Sequence, residues 1–471
     1  MDHGPLVALQ ARLAETLFGR SLVGLRMFAA LGGGARVFLT GLIAWALGGR
    51  RSAQVLGMIG ILVTPQYLGG DSYLSMNSLE SLYWMTALLA LILMQRGASP
   101  RLWLLFGVAS GFGLLNKPSM TFFLVAVLFA LLLTPQRRLL WTPWALAGVA
   151  LLLAIVAPNI LWQIHNHWPT LEFLQNGRDK HKNVILSPLA FLNAQFLGMH
   201  PLNILIWLPG LVWLLRRETW RWLGLTFLAF LGIMMALHAK DYYVNPIYPI
   251  LFAAGGLAWQ SRQRTLLAHR SSSRLFGFPV LEAALILSGL VLLPMSNPIL
   301  TPPRWLTYTA ALHLRDKTSN TENTETGPLP QFYADRFGWQ EEVDQVQRAA
   351  DALPADQRKQ LVILCSNYGE ASALNFLGHN LPTAVSRQNN YYLWGPGTLP
   401  GEVAIIIEDE TPEHYLDFYN HVEIIGRMGT PWSMPFEHRN IYLVRGRHQN
   451  SVPLAWPKGL HLIQQTLNSK T

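Results

Sequence analysis

Residues 101–134 read RLWLLFGVASGFGLLNKPSMTFFLVAVLFALLLT, in which Lys117 separates two apolar runs. The runs cover residues 101–116 and 118–134, and each approaches the ~20 residues that a helix needs to cross ~30 Å of hydrocarbon. Apart from Arg101 at its start, the stretch carries no charge other than Lys117. We therefore expect two membrane helices here, with Lys117 at the turn between them.

Eight further apolar runs lie between Ser21 and Pro294, so the first 300 residues are predicted to form a helical membrane body. The ten runs cover residues 21–47, 53–70, 78–95, 101–116, 118–134, 143–163, 201–215, 222–238, 245–260 and 275–294. Some of them are short, which indicates kinks or partial burial within the bundle. The expected fold class is a multi-pass α-helical membrane protein of about ten helices.

The composition changes near residue 296. Beyond Asn297 no run has membrane length, and charged residues become frequent. Apolar β-rich runs at 361–365, 403–407, 422–425 and 441–444 alternate with helical patterns at 341–352 and 370–377, which is typical of a small α/β domain. The sequence thus predicts an N-terminal segment 1–20, a transmembrane domain 21–295 and a soluble domain 296–471.

Basic residues predict the orientation of this body. The loops on one side carry five basic residues, Lys117, Arg178, Lys180, Lys182 and Lys240. The loops on the other side carry thirteen, which are Arg50, Arg51, Arg96, Arg101, Arg137, Arg138, Arg216, Arg217, Arg221, Arg262, Arg264, Arg270 and Arg274. Because basic residues accumulate in cytoplasmic loops, the arginine-rich side is predicted to be cytoplasmic. The N-terminal segment and the C-terminal domain are then extracytoplasmic.

Composition agrees with this class and excludes others. Hydrophobic residues make up 51 % of the 471 residues and charged residues 13 %, which fits a polytopic membrane protein. The cytoplasmic arginines account for the net charge of +9, so no nucleic-acid partner is needed. The single cysteine, Cys365, excludes an internal disulfide, and no Cys/His cluster has the spacing of a zinc site. The sequence specifies no cofactor and does not decide whether a divalent metal takes part.

Polar and ionisable residues cluster where the predicted helices end on the outer face. At membrane depth such groups are costly and mark functional sites. The candidates are Asp2, His3, Asn77, Glu80, Lys117, Lys240, Asp241, Tyr242 and Tyr243. Several cationic groups beside aromatic rings suit a lipid-linked phosphate, and a carboxylate can deprotonate an acceptor hydroxyl or amine.

Each of these features also has a structural interpretation. Lys117 fits a helix-end lysine whose ammonium reaches the interface, and Lys240 with Asp241 fits an interfacial ion pair. The tyrosines, Tyr242 and Tyr243, fit the aromatic belt of a membrane protein. Arg36, inside the first long run after Gly32-Gly33-Gly34, is predicted to pack against a partner that the sequence does not name.

Five ordered stretches in residues 1–262 resemble the bacterial family 39 glycosyltransferases, the protein mannosyltransferase and aminoarabinose transferase group with the GT-C membrane fold. These stretches are DHGPLVALQARL from Asp2, PQYLGGDSYLSMNSLESLYW from Pro65, GFGLLNKPSMTFF from Gly111, PNILWQIHNHWPTLEFL from Pro158, and HAKDYYVNPIYPILFAAGG from His238. The later stretches CSNYGEASALNFLG and RQNNYYLWGPG resemble the outer domain of one branch of that family.

The resemblance implies an inverting transferase of the bacterial inner membrane. Such an enzyme takes a sugar from a polyprenyl-phosphate carrier on the periplasmic face and passes it to a glycan, lipid or protein acceptor. It implies that His3, Lys117, Lys240, Tyr242 and Tyr243 lie near the carrier phosphate. It also places the family's second acidic position in MNSLE, where we expect Glu80 to be the ionisable group. Asn77 and Asp241 are then candidates for the acceptor or sugar site.

One departure from the family pattern affects the catalytic carboxylate. Relatives have a further helix before a DHPPL-like motif, and an Asp-Glu pair in the loop that follows it. This sequence starts inside that motif and has Gly4 where a first proline is usual. The expectation is that the first helix and its catalytic loop are missing, that Asp2 is the one carboxylate left in that region, and that an upstream extension raises activity and stability.

Two other functions fit the same residues. A non-catalytic protein that binds polyprenyl phosphate, such as a transporter, a flippase or a partner subunit, would use the same cationic face without a base. Transporters commonly show paired repeats and broken helices at mid-membrane, which the sequence does not show. An inactive, N-terminally truncated transferase is the other alternative.

Overall fold

The computed structural model describes residues 3–179, 183–268, 278–314, 322–398 and 401–448. These residues form two compact units. The membrane unit comprises His3–His165 and Ile185–Leu300, and the C-terminal unit comprises Asn166–Val184 with the described part of Thr301–Thr471. The second unit therefore includes a stretch from the middle of the chain.

The membrane unit is a bundle of helices, which confirms the predicted multi-pass α-helical fold. Its helices are α1 (Leu6–Phe18), α2 (Leu22–Ala46), α3 (Arg51–Leu62), α4 (Pro65–Gly70), α5 (Met76–Gln95), α6 (Leu102–Asn116), α7 (Ser119–Leu132), α8 (Pro143–His165), α10 (Pro188–Gly198), α11 (Ile204–Arg216), α12 (Arg221–Ala236), α13 (Tyr248–Ala268) and α14 (Phe278–Ser296). Among the described residues, α2, α5, α8 and α14 are long and apolar enough to cross a membrane singly. A helix lies in each of the ten predicted apolar runs.

The run at 53–70 forms two helices rather than one. Thr64 is extended (φ −73°, ψ 118°) and separates α3 from α4, because a residue before proline avoids the helical region. The break leaves backbone carbonyls without helical partners. Asn203 donates to the Gly60 carbonyl at 2.9 Å and to the Thr64 hydroxyl at 3.1 Å, and that hydroxyl donates to the Gly60 carbonyl at 2.7 Å. Side chains thus provide hydrogen-bond partners for the backbone groups at the break, as is required in hydrocarbon.

Helix α10 is a segment that the apolar pattern did not predict. It joins α11 through a short 3-10 turn at Pro201–Asn203, and the two helices are bent by 98°. Met199 and His200 lie at this bend and are buried. The predicted run at 201–215 is therefore the second half of a bent helix pair.

Two glycines allow α6 and α8 to pack closely. A Cβ on Gly107 would overlap the backbone of Gly148, and a Cβ on Gly148 would overlap the carbonyl of Trp103. Small residues at helix crossings in membranes let backbones approach, which increases van der Waals contact. Trp103 also donates its indole N–H to the Leu139 carbonyl at 3.0 Å.

The C-terminal unit contains a five-stranded mixed sheet, which confirms the predicted small α/β unit. Its strands are β1 (Leu361–Cys365), β2 (Val385–Ser386), β3 (Val403–Glu408), β4 (Tyr419–Arg427) and β5 (Asn440–Arg447), in the order β2-β1-β3-β5-β4. The first three are parallel, whereas β5 is antiparallel to β3 and β4. Its helices are α9 (Pro169–Asp179), α15 (Pro302–Ala311), α16 (Gln331–Ala334), α17 (Trp339–Asp351), α18 (Ala355–Arg358), α19 (Tyr368–Leu377), α20 (Asn389–Trp394) and α21 (Pro412–Leu416).

Both faces of this sheet are covered. Leu361 and Ile363 belong to an apolar cluster that includes Val346 and Leu374 of the flanking helices. Val362 and Leu364 belong to a second cluster, with Tyr415 among its members. Strand β1 is buried at every position because parallel strands are usually covered on both sides.

Acidic side chains surround one arginine near the carboxyl ends of β1 and β3. Arg439 is buried, and its guanidinium lies 3.1 Å from Glu370 and 3.2 Å from Asp409. Glu342 and Glu437 are also buried and act on the same group of charges. Neither carboxylate oxygen of Glu342 has a hydrogen-bond partner among the described residues. Burial raises the pKa of Glu370 to about 8 and that of Glu437 to about 7, with Arg439 opposing the rise and the neighbouring carboxylates adding to it.

Candidate functional site

Lys117 lies at the centre of a polar cluster between the membrane helices. Its backbone is extended (φ −156°, ψ 135°) because Pro118 follows it, so α6 ends there and α7 begins two residues later. Lys117 is buried, with 4 % of the residue exposed. Its ammonium donates to the Asn77 amide oxygen at 2.8 Å and to a Glu80 oxygen at 3.0 Å. A lysine buried to this degree needs such partners to remain charged.

Two tyrosine rings contact the same ammonium. The Lys117 nitrogen lies 4.1 Å from the ring centroid of Tyr243 and 5.2 Å from that of Tyr242. The two rings meet edge to face, with centroids 5.0 Å apart. Such cation–π contacts stabilise a cation where water is excluded. Tyr242 and Tyr243 therefore line the site of the Lys117 ammonium, which an aromatic belt at the membrane surface would not require.

Glu80 neutralises Lys117. It lies near the N-terminal end of α5, in its second turn, and is 2 % exposed. One of its oxygens pairs with Lys117, and the other accepts a hydrogen bond from the Ser119 hydroxyl. Both oxygens are thus engaged. A buried pair of this kind is strongly coupled, since removing one partner leaves the other charge uncompensated.

Lys240 brings a second positive charge near this cluster. It precedes the 3-10 helix Asp241–Ile247 and is half-buried. The charge of Lys240 acts on Lys117 as a like charge. Gln195 fixes the start of the 3-10 helix by donating to the Asp241 carbonyl at 2.8 Å. An anion bound between the two lysines would remove their repulsion.

A second ion pair joins α2 to the loop before α5. Arg36 donates to both carboxylate oxygens of Asp71 at 2.9 Å each, and to the Ser78 carbonyl at 2.8 Å. Its guanidinium also lies 4.4 Å from the ring centroid of Tyr67. Gly33 makes room for this pair, because a Cβ there would overlap the Asp71 carboxylate. Asp71 is thus the partner that the sequence did not name for Arg36.

Both ion pairs converge on the N-terminal end of α5. Asn77 and Glu80 contact Lys117, while Ser78 between them accepts from Arg36. The serines Ser75 and Ser78 cap this end of the helix reciprocally. The MNSLE stretch therefore positions an ammonium and a guanidinium on adjacent sides of one helix terminus.

The N-terminal segment packs on the same region. Gln10 of α1 donates to the Tyr83 hydroxyl at 2.8 Å and to the Asn116 amide oxygen at 3.3 Å, next to Lys117. Gly4 lies against α6, since a Cβ there would overlap the Leu115 carbonyl. This contact leaves no room for a side chain at residue 4. His3 is half-buried, and the candidate Asp2 lies outside the described residues.

The structure brings five predicted site residues into contact: Asn77, Glu80, Lys117, Tyr242 and Tyr243. Sequence reasoning missed Asp71 and Ser119. The available signal for Asp71 was a lone acidic residue in the short loop between two apolar runs. In the described part of the chain, no three His, Cys, Asp or Glu side chains are grouped so that they can hold a metal ion.

Comparison with known proteins agrees with this architecture. Residues 2–162 match the family model described as dolichyl-phosphate-mannose-protein mannosyltransferase. No curated protein matches the sequence. The crystal structure of ArnT from Cupriavidus metallidurans bound to undecaprenyl phosphate is similar with a TM-score of 0.58 and 15 % identity, over 97 % of this chain and 89 % of that one. Its apo form gives a TM-score of 0.59 and 15 % identity, over 94 % and 87 %.

At this identity the two crystal structures show the fold. Together with the family match, they confirm the predicted resemblance to the mannosyltransferase and aminoarabinose transferase group and the GT-C membrane fold. The chain is a multi-pass membrane protein of that fold.

Proposed function

We propose that this protein is an inverting glycosyltransferase that moves a sugar from a polyprenyl-phosphate carrier to an acceptor at the periplasmic face of the bacterial inner membrane. The observation that carries the proposal is the buried Lys117, held by Asn77 and two tyrosine rings with Lys240 nearby. The related ArnT structure holds undecaprenyl phosphate, which is a ligand of the same class. The family match over residues 2–162 supports glycosyl transfer.

In this proposal the carrier phosphate binds between Lys117 and Lys240. Two ammonium groups offset the charge of a phosphate, and the apolar helix surfaces hold its isoprenoid chain. His3 and the tyrosines Tyr242 and Tyr243 complete the phosphate site. As the bond between the sugar C1 and the phosphate oxygen breaks, charge grows on the leaving phosphate, and fixed cations lower the energy of that state.

Transfer with inversion also needs a carboxylate that takes the proton from the acceptor as its oxygen or nitrogen attacks C1. Glu80 is one candidate, although Lys117 and Ser119 already engage both its oxygens. Asp71 is a second candidate because it is paired with Arg36 yet keeps 19 % of its side chain exposed. Asn77 and Asp241 are assigned to the sugar or acceptor side of the site.

The distribution of basic residues supports the orientation in this proposal. The arginine-rich loops face the cytoplasm, so Lys117 and Lys240 lie at the periplasmic ends of their helices. The C-terminal unit then lies in the periplasm, where acceptors reside.

The pairing of Glu80 also favours one alternative, a polyprenyl-phosphate-binding protein without transfer activity. A carboxylate with both oxygens engaged is a weak base, whereas the two lysines bind an anion in either case. Under this alternative, changes at Asp71 or Glu80 affect binding or stability only.

Purified protein in nanodiscs, supplied with polyprenyl-phosphate sugars, tests the proposal by release of polyprenyl phosphate. We expect release by the native chain in the presence of an acceptor mixture, and loss of release in Lys117→Ala. Lys359→Ala, at an exposed position of the C-terminal unit, is the matched control and should retain activity.

Binding of undecaprenyl phosphate, measured in parallel, separates the two functions. Binding without release in the native chain, for every sugar supplied, would support the non-catalytic alternative. Unchanged binding in both Lys117→Ala and Lys240→Ala would remove the phosphate site from the proposal.

A further inference from the structure

The C-terminal unit contains a cleft of about 330 Å³ at the β2 edge of the sheet. This volume lies at the lower end of the ~300–1,000 Å³ range of small-molecule sites, so it suits a ligand of one or two rings. Its walls come from the start of β1, from residues 382–385, from α19 and from the segment after α20. The described residues that line it include no Asp, Glu, Lys, Arg or His, so the cleft suits a neutral ligand.

Two aromatic side chains form one wall. Tyr391 and Trp394 meet edge to face, with ring centroids 4.7 Å apart. Trp394 is 71 % exposed, which is unusual for so large an apolar side chain in a folded unit. An exposed indole beside a cleft is a rigid, flat contact surface, and such side chains recur as anchors of binding sites.

The backbone holds this indole at the edge of the cleft. Helix α20 ends because Gly395 adopts φ 85°, a conformation that disfavours residues with a Cβ. Pro396 then stiffens the chain, and Gly397 turns it again at φ 80°. The WGPG sequence therefore places Trp394 on a fixed turn rather than on a free loop.

Hydrogen-bonding groups lie next to the rings. The Tyr391 hydroxyl accepts from the Asn375 amide nitrogen at 3.2 Å and lies 3.1 Å from the Ser372 hydroxyl. Asn375 is itself fixed by Ala384, whose N–H donates to its amide oxygen at 2.8 Å and whose carbonyl accepts from its nitrogen at 2.9 Å. Thr383 and Thr398 add hydroxyl groups to the lining. The cleft thus combines a flat apolar wall with a neutral polar one.

We propose that this cleft binds a neutral saccharide, the glycan part of an acceptor. A pyranose ring has an apolar face of C–H groups, which packs on an indole, and a rim of hydroxyl groups, which suits Tyr391, Asn375 and the threonines. The polar wall disfavours a purely apolar ligand, and the described lining contains no charged side chain to attract an acidic or basic one. The inference deepens the proposed function by naming the acceptor class, but saccharide binding does not require transfer.

Saturation-transfer NMR on the full-length protein in nanodiscs tests this proposal. The probes are methyl mannoside, methyl glucoside, methyl galactoside, N-acetylglucosamine and their disaccharides, together with a neutral proline-rich peptide. We expect saturation of the ring protons of at least one saccharide. Trp394→Ala should weaken that binding by roughly tenfold or more, as truncation of an aromatic anchor does. Tyr391→Phe should weaken it less, because the ring remains.

Trp141→Ala is the matched control, since Trp141 is also exposed but lies in the membrane unit, and it should bind as the native chain does. Lys117→Ala should also leave saccharide binding unchanged, which keeps this test separate from the carrier site. Binding equal in Trp394→Ala and the native chain, binding lost in Lys117→Ala, binding of the peptide alone, or no saturation of any saccharide would each overturn the proposal.

Discussion

Arg36 and Asp71 form a two-pronged ion pair inside the helix bundle, with each of two guanidinium nitrogens 2.9 Å from a carboxylate oxygen. The arginine is 2 % exposed, so Asp71 and the Ser78 carbonyl replace the water that would otherwise solvate its guanidinium. The pair fixes the loop between α4 and α5 relative to α2. It therefore supports the helix terminus that also holds Lys117.

Removing the carboxylate should destabilise the membrane unit. Asp71→Ala leaves the Arg36 charge buried without its counter-ion, a change that costs about 3 kcal/mol or more in other buried pairs. We expect a lower midpoint in thermal unfolding of the detergent-solubilised protein. Asp356→Ala, at an exposed position, is the control. An unchanged midpoint in Asp71→Ala would show that the pair does not stabilise the bundle.

Replacing Glu80 with glutamine should strengthen carrier binding while it reduces transfer. The glutamine keeps the shape of the side chain but no longer neutralises Lys117, so more positive charge is available to a phosphate. We expect undecaprenyl phosphate to bind several-fold more tightly, by roughly 1 kcal/mol. Titration of labelled carrier into nanodiscs measures this, with Glu218→Gln as the exposed control. Weaker binding in Glu80→Gln would mean that Glu80 serves mainly to hold Lys117 in place.

The C-terminal unit should lose stability as pH rises. In the folded unit, burial raises the pKa of Glu370 to about 8 and that of Glu437 to about 7, whereas both have an ordinary value of 4.5. From about pH 4.5 up to about pH 7 to 8, the folded state thus binds more protons than the unfolded state. Its extra stability is complete below pH 4.5 and is lost as pH rises through 7 to 8. Amide hydrogen exchange of β1 and α19, corrected for intrinsic rates, should show at least tenfold less protection at pH 8.5 than at pH 6, since each pKa unit that is lost costs about 1.4 kcal/mol.

Glu342→Gln should weaken this pH dependence. Burial, with Glu370 and Glu437 nearby, raises the pKa of Glu342 well above its ordinary value, and its oxygens have no described hydrogen-bond partner. A neutral glutamine of the same size replaces a carboxylate whose ionisation inside the folded unit costs free energy. We expect greater protection at pH 8.5 in Glu342→Gln than in the native chain, and no gain in the exposed neighbour Glu341→Gln. If amide protection changed equally with pH in Glu342→Gln, Glu341→Gln and the native chain, the role of the acidic side chains around Arg439 would be contradicted.

Gly148→Ala should loosen the packing of α6 on α8. Its Cβ would overlap the Trp103 carbonyl, a backbone atom that cannot move aside without shifting the helix. We expect a loss of about 1–3 kcal/mol in stability, as in other overpacked interiors. Gly232→Ala in α12 is a matched control because its Cβ meets no atom within 4 Å, and it should be neutral or slightly stabilising. Thermal unfolding of the two variants side by side gives the comparison.

The membrane helices were predictable because hydropathy is a local signal. The runs around Lys117 and the strand at Leu361 each exceed their neighbours in apolar character, and both formed the expected elements. Helix α1 was missed because its apolar residues alternate with polar ones over only 13 residues. Its helical pattern is amphipathic, so it falls below the threshold of a membrane span.

The site was only partly predictable because its contacts join distant parts of the chain. Asn77, Glu80 and Lys117 could be chosen individually as polar residues at helix ends, but nothing local indicates that Glu80 pairs with Lys117. Arg36 and Asp71 are separated by 35 positions, and no periodic pattern connects them. Pairing of this kind depends on how helices are arranged, which a single sequence does not encode locally.

The hydrogen bonds that Asn203 donates at the break between α3 and α4 have a consequence for biogenesis. The Gly60 carbonyl and the Thr64 hydroxyl receive their partner from Asn203, which lies 143 and 139 positions further along the chain. During synthesis, α3 and α4 therefore enter the bilayer before that side chain exists. The break between α3 and α4 therefore gains this hydrogen-bond donor only after the ribosome has made Asn203, the residue that precedes α11.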